Sequence, residues 1–355
     1  MIERKSIKKE DYPAILAKRA VPFWVNEMLE GDFISPYPTY KIGQCLDRFE
    51  KKSFPISFKK ELGYYVFDPT LHGFSKDGVY PVLTFFHGTN NSFAGDLCIN
   101  FTGAELFASD DYQASMGGAY IIVPIANEYR NVAWHIKAFL KKVQRRFSLT
   151  KKIPEPVKNL IVRILNKIIN NRRLRGRTKG TWSQKYAKPV HSLLSEVIAG
   201  FGKSAGPVFL FGNSVGGAFL LKLMETYPDA YDVAVPCGNL CFGDGTVLDK
   251  IDEKNKYLFF AHAKRDELHG YKEYAPWLDR LQKMKHCFLY TPEWVRNGDK
   301  GIASIEIISE QGQHCLINAI QANLMFDDGT PMDERLPDGM TGWIKNVTQE
   351  IINRK

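Results

Sequence analysis

The chain has 355 residues, of which 44% are hydrophobic and 13% aromatic, enough for one large domain with an insertion or for two domains. No apolar run reaches the ~18–20 residues of a membrane-spanning helix, and Met1 to Glu10 has no apolar segment of the signal-peptide kind, so a cytoplasmic protein is expected. The net charge of +9 is uneven: residues 127–190 hold 18 Lys and Arg against two acids, a net +16, which leaves −7 for the rest.

In chain order, residues 10–30 carry a helical pattern, and Ser53 to Phe58 and Tyr64 to Asp68 read as a hairpin of edge strands. Tyr80 to Phe86 is a core strand, followed by a helix over Ser92 to Ser109 and a strand over Ala119 to Pro124. After the basic segment come a helix over Val190 to Phe201 and strands at Val208 to Phe211, Tyr231 to Val235, Tyr257 to His262 and Ile302 to Ser309. Thr341 to Asn353 reads as a closing helix. Short apolar runs alternating with helical patterns imply an α/β fold: a mostly parallel central sheet flanked by helices. The six cysteines (Cys45, Cys98, Cys237, Cys241, Cys287 and Cys315) are scattered and form no zinc pattern, so buried free thiols are expected.

The basic segment contains two amphipathic patterns. Val132, Ile136, Phe139, Leu140, Val143 and Phe147 follow helical spacing, opposite Lys137, Lys141, Lys142, Arg145 and Arg146. Val157, Ile161, Ile164, Leu165 and Ile168 form a second stripe after Pro154 and Pro156. The favoured reading is a helical cap with apolar faces packed on the core and basic faces in water. The second is a lid that meets anionic lipid. The third is attraction of an acidic substrate or polymer, nucleic acid included. No nucleic-acid motif is present, so no nucleic-acid partner is expected, and oligomeric state is not legible.

Gly212-Asn213-Ser214-Val215-Gly216 follows the apolar run Pro207 to Phe211 and precedes the helix-compatible segment Ala218 to Glu225. Strand, G-x-S-x-G and helix make a nucleophile elbow, a turn sharp enough to project the serine from its tip. A serine hydroxyl is a weak nucleophile at neutral pH and needs an adjacent base, which a carboxylate must orient. The acid candidate is Asp266, just past the strand Lys256 to His262, where parallel sheets collect functional groups. Glu267 is its nearest competitor, while Asp232, Asp244, Asp249 and Asp252 would need another route to the site. The base candidate is His314, the one histidine downstream of both serine and acid after a predicted strand; His72, His191, His269 and His286 lack that context. His87-Gly88-Thr89 follows the strand ending at Phe86, so the backbone N–H groups of Thr89 and Val215 are the expected oxyanion donors. His87 reads as an anchor of that loop.

With His87-Gly88, Gly212 to Gly216, Asp266 and His314 in this order, the chain resembles the α/β-hydrolases of the esterase and lipase superfamily over residues 55–126 and 190–330. It is most similar to bacterial feruloyl (cinnamoyl) and polyhydroxybutyrate-depolymerase-like esterases; the H-G-G-G loop of many lipases is absent. The resemblance implies an α/β-hydrolase core of residues 1–126 and 191–355, with 127–190 as a cap or lid insertion. It implies a serine carboxylic-ester hydrolase acting on small or aryl-acyl esters, with an interfacial lipase, a serine peptidase or a non-catalytic binding protein as alternatives. Neither metal nor organic cofactor is required for that chemistry. Trp134, Trp182, Trp294, Tyr271 and Trp277 are candidates for the pocket wall or for ordinary core.

Overall fold

The structure, a computed structural model, describes residues 44–57, 60–88, 91–92, 96, 98–126, 139–140, 143–144, 153–169, 182–239, 242–266, 268–302 and 313–354. Eight strands form one sheet in the order β1-β2-β4-β3-β5-β6-β7-β8. They are β1 (Glu50–Ser57), β2 (Lys60–Phe67), β3 (Tyr80–Phe86), β4 (Tyr120–Pro124), β5 (Ala205–Asn213), β6 (Val233–Cys237), β7 (Tyr257–Ala261) and β8 (Cys287–Tyr290). Only β2 runs against the others: it pairs antiparallel with β1 and β4, and every other pairing is parallel.

Parallel strands buried on both faces read as unbroken apolar runs, and β3 and β4 are buried throughout. Alternate residues go to opposite sides. Phe209 and Phe211 enter one core with Leu83, Phe85 and Phe259; Val208 and Leu210 enter the other with Val82, Phe86 and Phe260. Helices α1 (Asp110–Met116) and α8 (Gly339–Arg354) cover the first face. The second face is covered by α3 (Ala187–Gly200), α4 (Val215–Thr226), α5 (Thr246–Glu253) and α6 (Tyr271–Lys283). Two further helices are the short α7 (Ile317–Gln321) in the first core and α2 (Glu155–Ile169) in the basic segment.

Three local expectations change. The helix expected over Ser92 to Ser109 is one helical turn, Cys98–Phe101, then a 3-10 turn, Glu105–Ala108, before α1 begins. Gly103 turns the chain at φ 84°, with Ile317 where a side chain would sit, and the Ser109 hydroxyl accepts the Tyr112 amide to start a new helix. β6 lies two residues later than expected, because the Asp232 carboxylate accepts the Val208 amide (2.9 Å) and ends the approach to the sheet. β8 was not among the expected strands: it is four residues long and half-buried at the sheet edge, so its sequence carries little signal. Of the strand expected over Ile302 to Ser309 only Ile302 is described, bridged to Arg296; residues 10–30 also lie outside the described residues.

The hairpin is present, but only β1 is an edge strand, because β2 pairs with β4 as well; the closing helix is present, and α2 spans the second amphipathic pattern. Most of the first pattern lies outside the described residues; Phe139, Leu140, Val143 and Gln144 are helical. The core resumes at Trp182, which stacks on Phe219 (4.7 Å) and meets Phe86 edge-on (5.4 Å). Tyr186, Ala187 and Val190 bury beside it. No described helix is long and apolar enough to cross a membrane.

Candidate active site

The C-terminal ends of β3 and β6 meet the end of β5 at the Ser214 turn. β5 ends at Asn213, α4 starts at Val215, and Ser214 between them has φ 53° and ψ −119°. That region costs a non-glycine residue of the order of 1–3 kcal/mol, so the surroundings must impose it. They do so by crowding. A Cβ on Gly212 would collide with the Gly216 carbonyl, and one on Gly216 with the Phe86 carbonyl oxygen. The Ser214 amide donates to the Cys237 carbonyl (2.9 Å), and the Ser214 carbonyl accepts the Ala218 amide (3.2 Å). The turn is therefore clamped between β3, β6 and its own helix.

Asp266 follows β7 in a tight turn. Its Oδ1 accepts the Leu268 and His269 amides at 2.8 and 2.9 Å, and its Oδ2 accepts from His314 Nδ1 at 2.9 Å. Burial alone would raise the Asp266 pKa. The hydrogen bond and charge of His314 and the two backbone amides outweigh it, and the pKa is lowered. His314 sits on the 3-10 turn Gln313–Cys315 and is buried. With Nδ1 given to the carboxylate, Nε2 is the ring's remaining polar atom.

Gly238 packs against His314, one residue after the carbonyl that holds the Ser214 amide. A Cβ there would lie 3.3 Å from His314 Nδ1 and 2.7 Å from its carbonyl oxygen, and the preceding residue, Cys237, holds the Ser214 amide. Gly238 has φ 55°, and its own amide donates to Ala261 at the end of β7 (3.0 Å). The absence of a side chain at this position is what lets the imidazole reach the end of β6.

Val215 is the first residue of α4, so its amide is among the N-terminal N–H groups that a helix leaves without an internal acceptor. The positive end of the helix dipole favours negative charge there. Thr89 and Glu267 lie outside the described residues.

His87 is fully buried. Its Nε2 accepts the Ala126 amide (3.0 Å), and because an amide can only donate, Nδ1 carries the proton and donates to the Gly88 carbonyl (2.7 Å). Burial pushes its pKa down to about 4. A neutral histidine locked at both nitrogens ties the loop after β3 to the end of β4 and has no nitrogen left for a proton transfer. Trp182 packs on its ring at 4.9 Å, which makes that tryptophan the floor beneath the loop.

The rival groups have other partners. Asp232 holds Val208 and Lys256, Asp249 pairs with Arg280, Asp252 accepts the Lys285 amide, and Asp244 accepts the Thr246 amide. His72 stacks on Phe67, His191 bonds Tyr231, and His286 meets Arg354. His269 reaches Glu273 (3.1 Å), its ring 5.8 Å from that of His314.

Sequence reading passed over His262. It is fully buried at the end of β7, donates from Nε2 to the His269 carbonyl (2.6 Å) and lies 3.8 Å from Asp266 Oδ2. It braces the loop that presents the carboxylate, and burial pushes its pKa down. A polar residue closing an apolar strand, four before an acid, was the available signal.

Among the described side chains, Cys45, Cys237 and Cys287 are free thiols, and burial raises the pKa of each, to about 12 for Cys45 and Cys287. They are poor nucleophiles for that reason. No group of three or more His, Cys, Asp or Glu side chains with metal-binding geometry occurs among the described residues.

No family model matches the chain, and no curated protein matches it. Solved structures do. A thermostable esterase is 13% identical, with 87% of this chain and 63% of that one covered and a TM-score of 0.47. The chain thus spans less than two thirds of that esterase's length. A feruloyl esterase module from Clostridium thermocellum complexed with sinapinate is 14% identical, with 77% and 87% covered and a TM-score of 0.39. An acylaminoacyl peptidase from Pyrococcus horikoshii is 13% identical, with 78% and 41% covered and a TM-score of 0.41. Eight strands with only the second reversed, a strand–serine elbow–helix unit on β5 and an acid turn after β7 are the arrangement of the α/β-hydrolase fold, and this chain has that fold.

Proposed function

We propose that the chain is a serine hydrolase of carboxylic esters working through an acyl-enzyme. The observation that carries this reading is the buried Asp266–His314 pair, 2.9 Å apart, set against the strand end that holds the strained Ser214 elbow. Ser214 attacks the ester carbonyl, and His314 takes its proton and returns it to the leaving alcohol. Asp266 fixes the imidazole tautomer and stabilises the imidazolium. The oxyanion is held by the Val215 amide at the positive end of α4 and by the Thr89 amide, each such donor being worth roughly 10²–10³ in rate. Water activated by His314 then releases the acid.

The favoured substrates are small or aryl-acyl esters of the feruloyl or cinnamoyl kind. Leu268 and Tyr271, 59% and 45% exposed, flank the acid turn and offer an apolar rim beside His269 and His314. Residues 127–190 are read as a helical cap; because Trp182 and Val190 already belong to the core, a deletion that spares the fold must stop at residue 181. The test is a panel of soluble esters, graded in acyl length and aromaticity, run beside peptide and anilide substrates. Ester kcat/KM should exceed that of matched amides, with aryl-acyl esters ahead of long-chain ones. Replacing residues 127–181 by a Gly-Ser linker should reorder the acyl preference. Faster cleavage of amides would make the protein a peptidase, and an unchanged order in the linker variant would remove the cap.

A further inference from the structure

We propose that the outward apolar face of α2 docks on the surface of an anionic lipid bilayer. At 100° per residue, the apolar side chains of this helix run from Leu160 through Ile164, Val157, Ile168, Ile161 and Leu165 to Val162. That arc spans roughly 200°, about twice the stripe a helix needs to face a core. One half is in use: Ile161, Leu165 and Val162 are half-buried, and Gln144 donates to Asn166 on the neighbouring edge (2.8 Å). The other half is bare, with Leu160 57%, Ile164 50%, Val157 47% and Ile168 46% exposed. Among the described residues, the large exposed hydrophobics away from the basic segment stand singly or, like Leu268 and Tyr271, as a pair.

Charge chooses the occupant. Arg163 and Lys167 border the bare strip beside Leu160, and the helix has one acid, Glu155, at its first position. The surrounding segment, residues 127–190, carries +16. A second copy bringing the same face would oppose two such charges, whereas an anionic headgroup layer is attracted by them. A helix with a wide apolar face and basic edges lies in the plane of the headgroups, and no described helix is apolar enough to cross the bilayer.

The test mixes the whole protein with vesicles of phosphatidylcholine alone or of phosphatidylcholine with phosphatidylglycerol, and reads the bound fraction by flotation at low and high salt. Binding should require phosphatidylglycerol and weaken several-fold with salt. Leu160→Glu/Ile164→Glu should lower it about tenfold or more, and Arg163→Gln/Lys167→Gln about tenfold. All four sites are exposed, so the thermal unfolding of both variants should match the wild type. No binding to the anionic vesicles, or equal binding by Leu160→Glu/Ile164→Glu, would overturn the proposal. A concentration-dependent dimer in sedimentation velocity that this double variant dissolves would overturn it too, since a second copy would then cover the face. Flotation needs no turnover, so failure of the serine-hydrolase reading leaves the result interpretable.

Discussion

Ser214, Asp266 and His314 differ in how they are held, and the difference sets how each should fail. Ser214 is fixed by its neighbours' lack of side chains; Asp266 by two amides and an imidazole; His314 by that carboxylate and by the open space at Gly238. Asp266→Asn keeps the shape but reverses the tautomer demand on His314, and should cost on the order of 10⁴ in kcat. Combined with Ser214→Ala it should cost no more than Ser214→Ala alone, because the members of a catalytic triad lose their effect together. Steady-state kinetics of the single and double variants give the answer, and additive losses would mean that Asp266 acts independently of Ser214. His87 makes a separate prediction, about pH. Its folded pKa lies near 4 and an unfolded histidine titrates near ~6.5. Between those values only the unfolded chain binds the proton, so folding free energy is lost as pH falls through the window. The slope is up to about 1.4 kcal/mol per unit and the total about 3 kcal/mol by pH 4. His262, also pushed down by burial, acts in the same direction. Denaturant midpoints should therefore be flat above about pH 7 and fall from there toward 4, with a shallower fall in His87→Gln. Identical slopes would contradict the neutral, doubly bonded imidazole.

The elbow between β5 and α4 is the element on which the rest depends. Gly216→Ala puts a methyl group against the Phe86 carbonyl, which is backbone and cannot swing aside. It should destabilise the fold by about 1–3 kcal/mol, read in urea, and depress turnover further than that loss explains because Ser214 must shift. A variant of wild-type stability and activity would mean the elbow has slack. The strained turn at Ser214 and the positions of Asp266 and His314 were legible in the sequence because each follows from a local pattern: an apolar strand, a glycine-framed serine, an acid just past a strand. What escaped was set by contacts between elements. Gly238 looks like any glycine at a strand end until His314 is packed on it, and His262 looks like the last residue of a strand until its proton is found on the His269 carbonyl. The helix expected over Ser92 to Ser109 failed for the same reason, since the contact of Gly103 with Ile317 joins residues far apart in sequence.

Across the whole molecule, chemistry and charge are segregated. The ends of β5 and β7 lead into Ser214, the start of α4 and Asp266, as parallel sheets collect polar groups at the C-terminal ends of their strands, while residues 127–190 carry more than the chain's whole positive excess. The fold class was legible from the alternation of apolar runs and helical patterns; the strand order was not, because it depends on which strands meet across the sheet. This sheet end should make one covalent nucleophile of Ser214. A fluorophosphonate probe, reacted with the wild type and with Ser214→Ala and followed by peptide mass spectrometry and ester turnover, tests it most directly. A single adduct is expected on the peptide containing Ser214, with both adduct and turnover lost in the variant and its unfolding transition preserved. An adduct on another residue, or a Ser214→Ala protein that still turns over ester at near the wild-type rate, would contradict it.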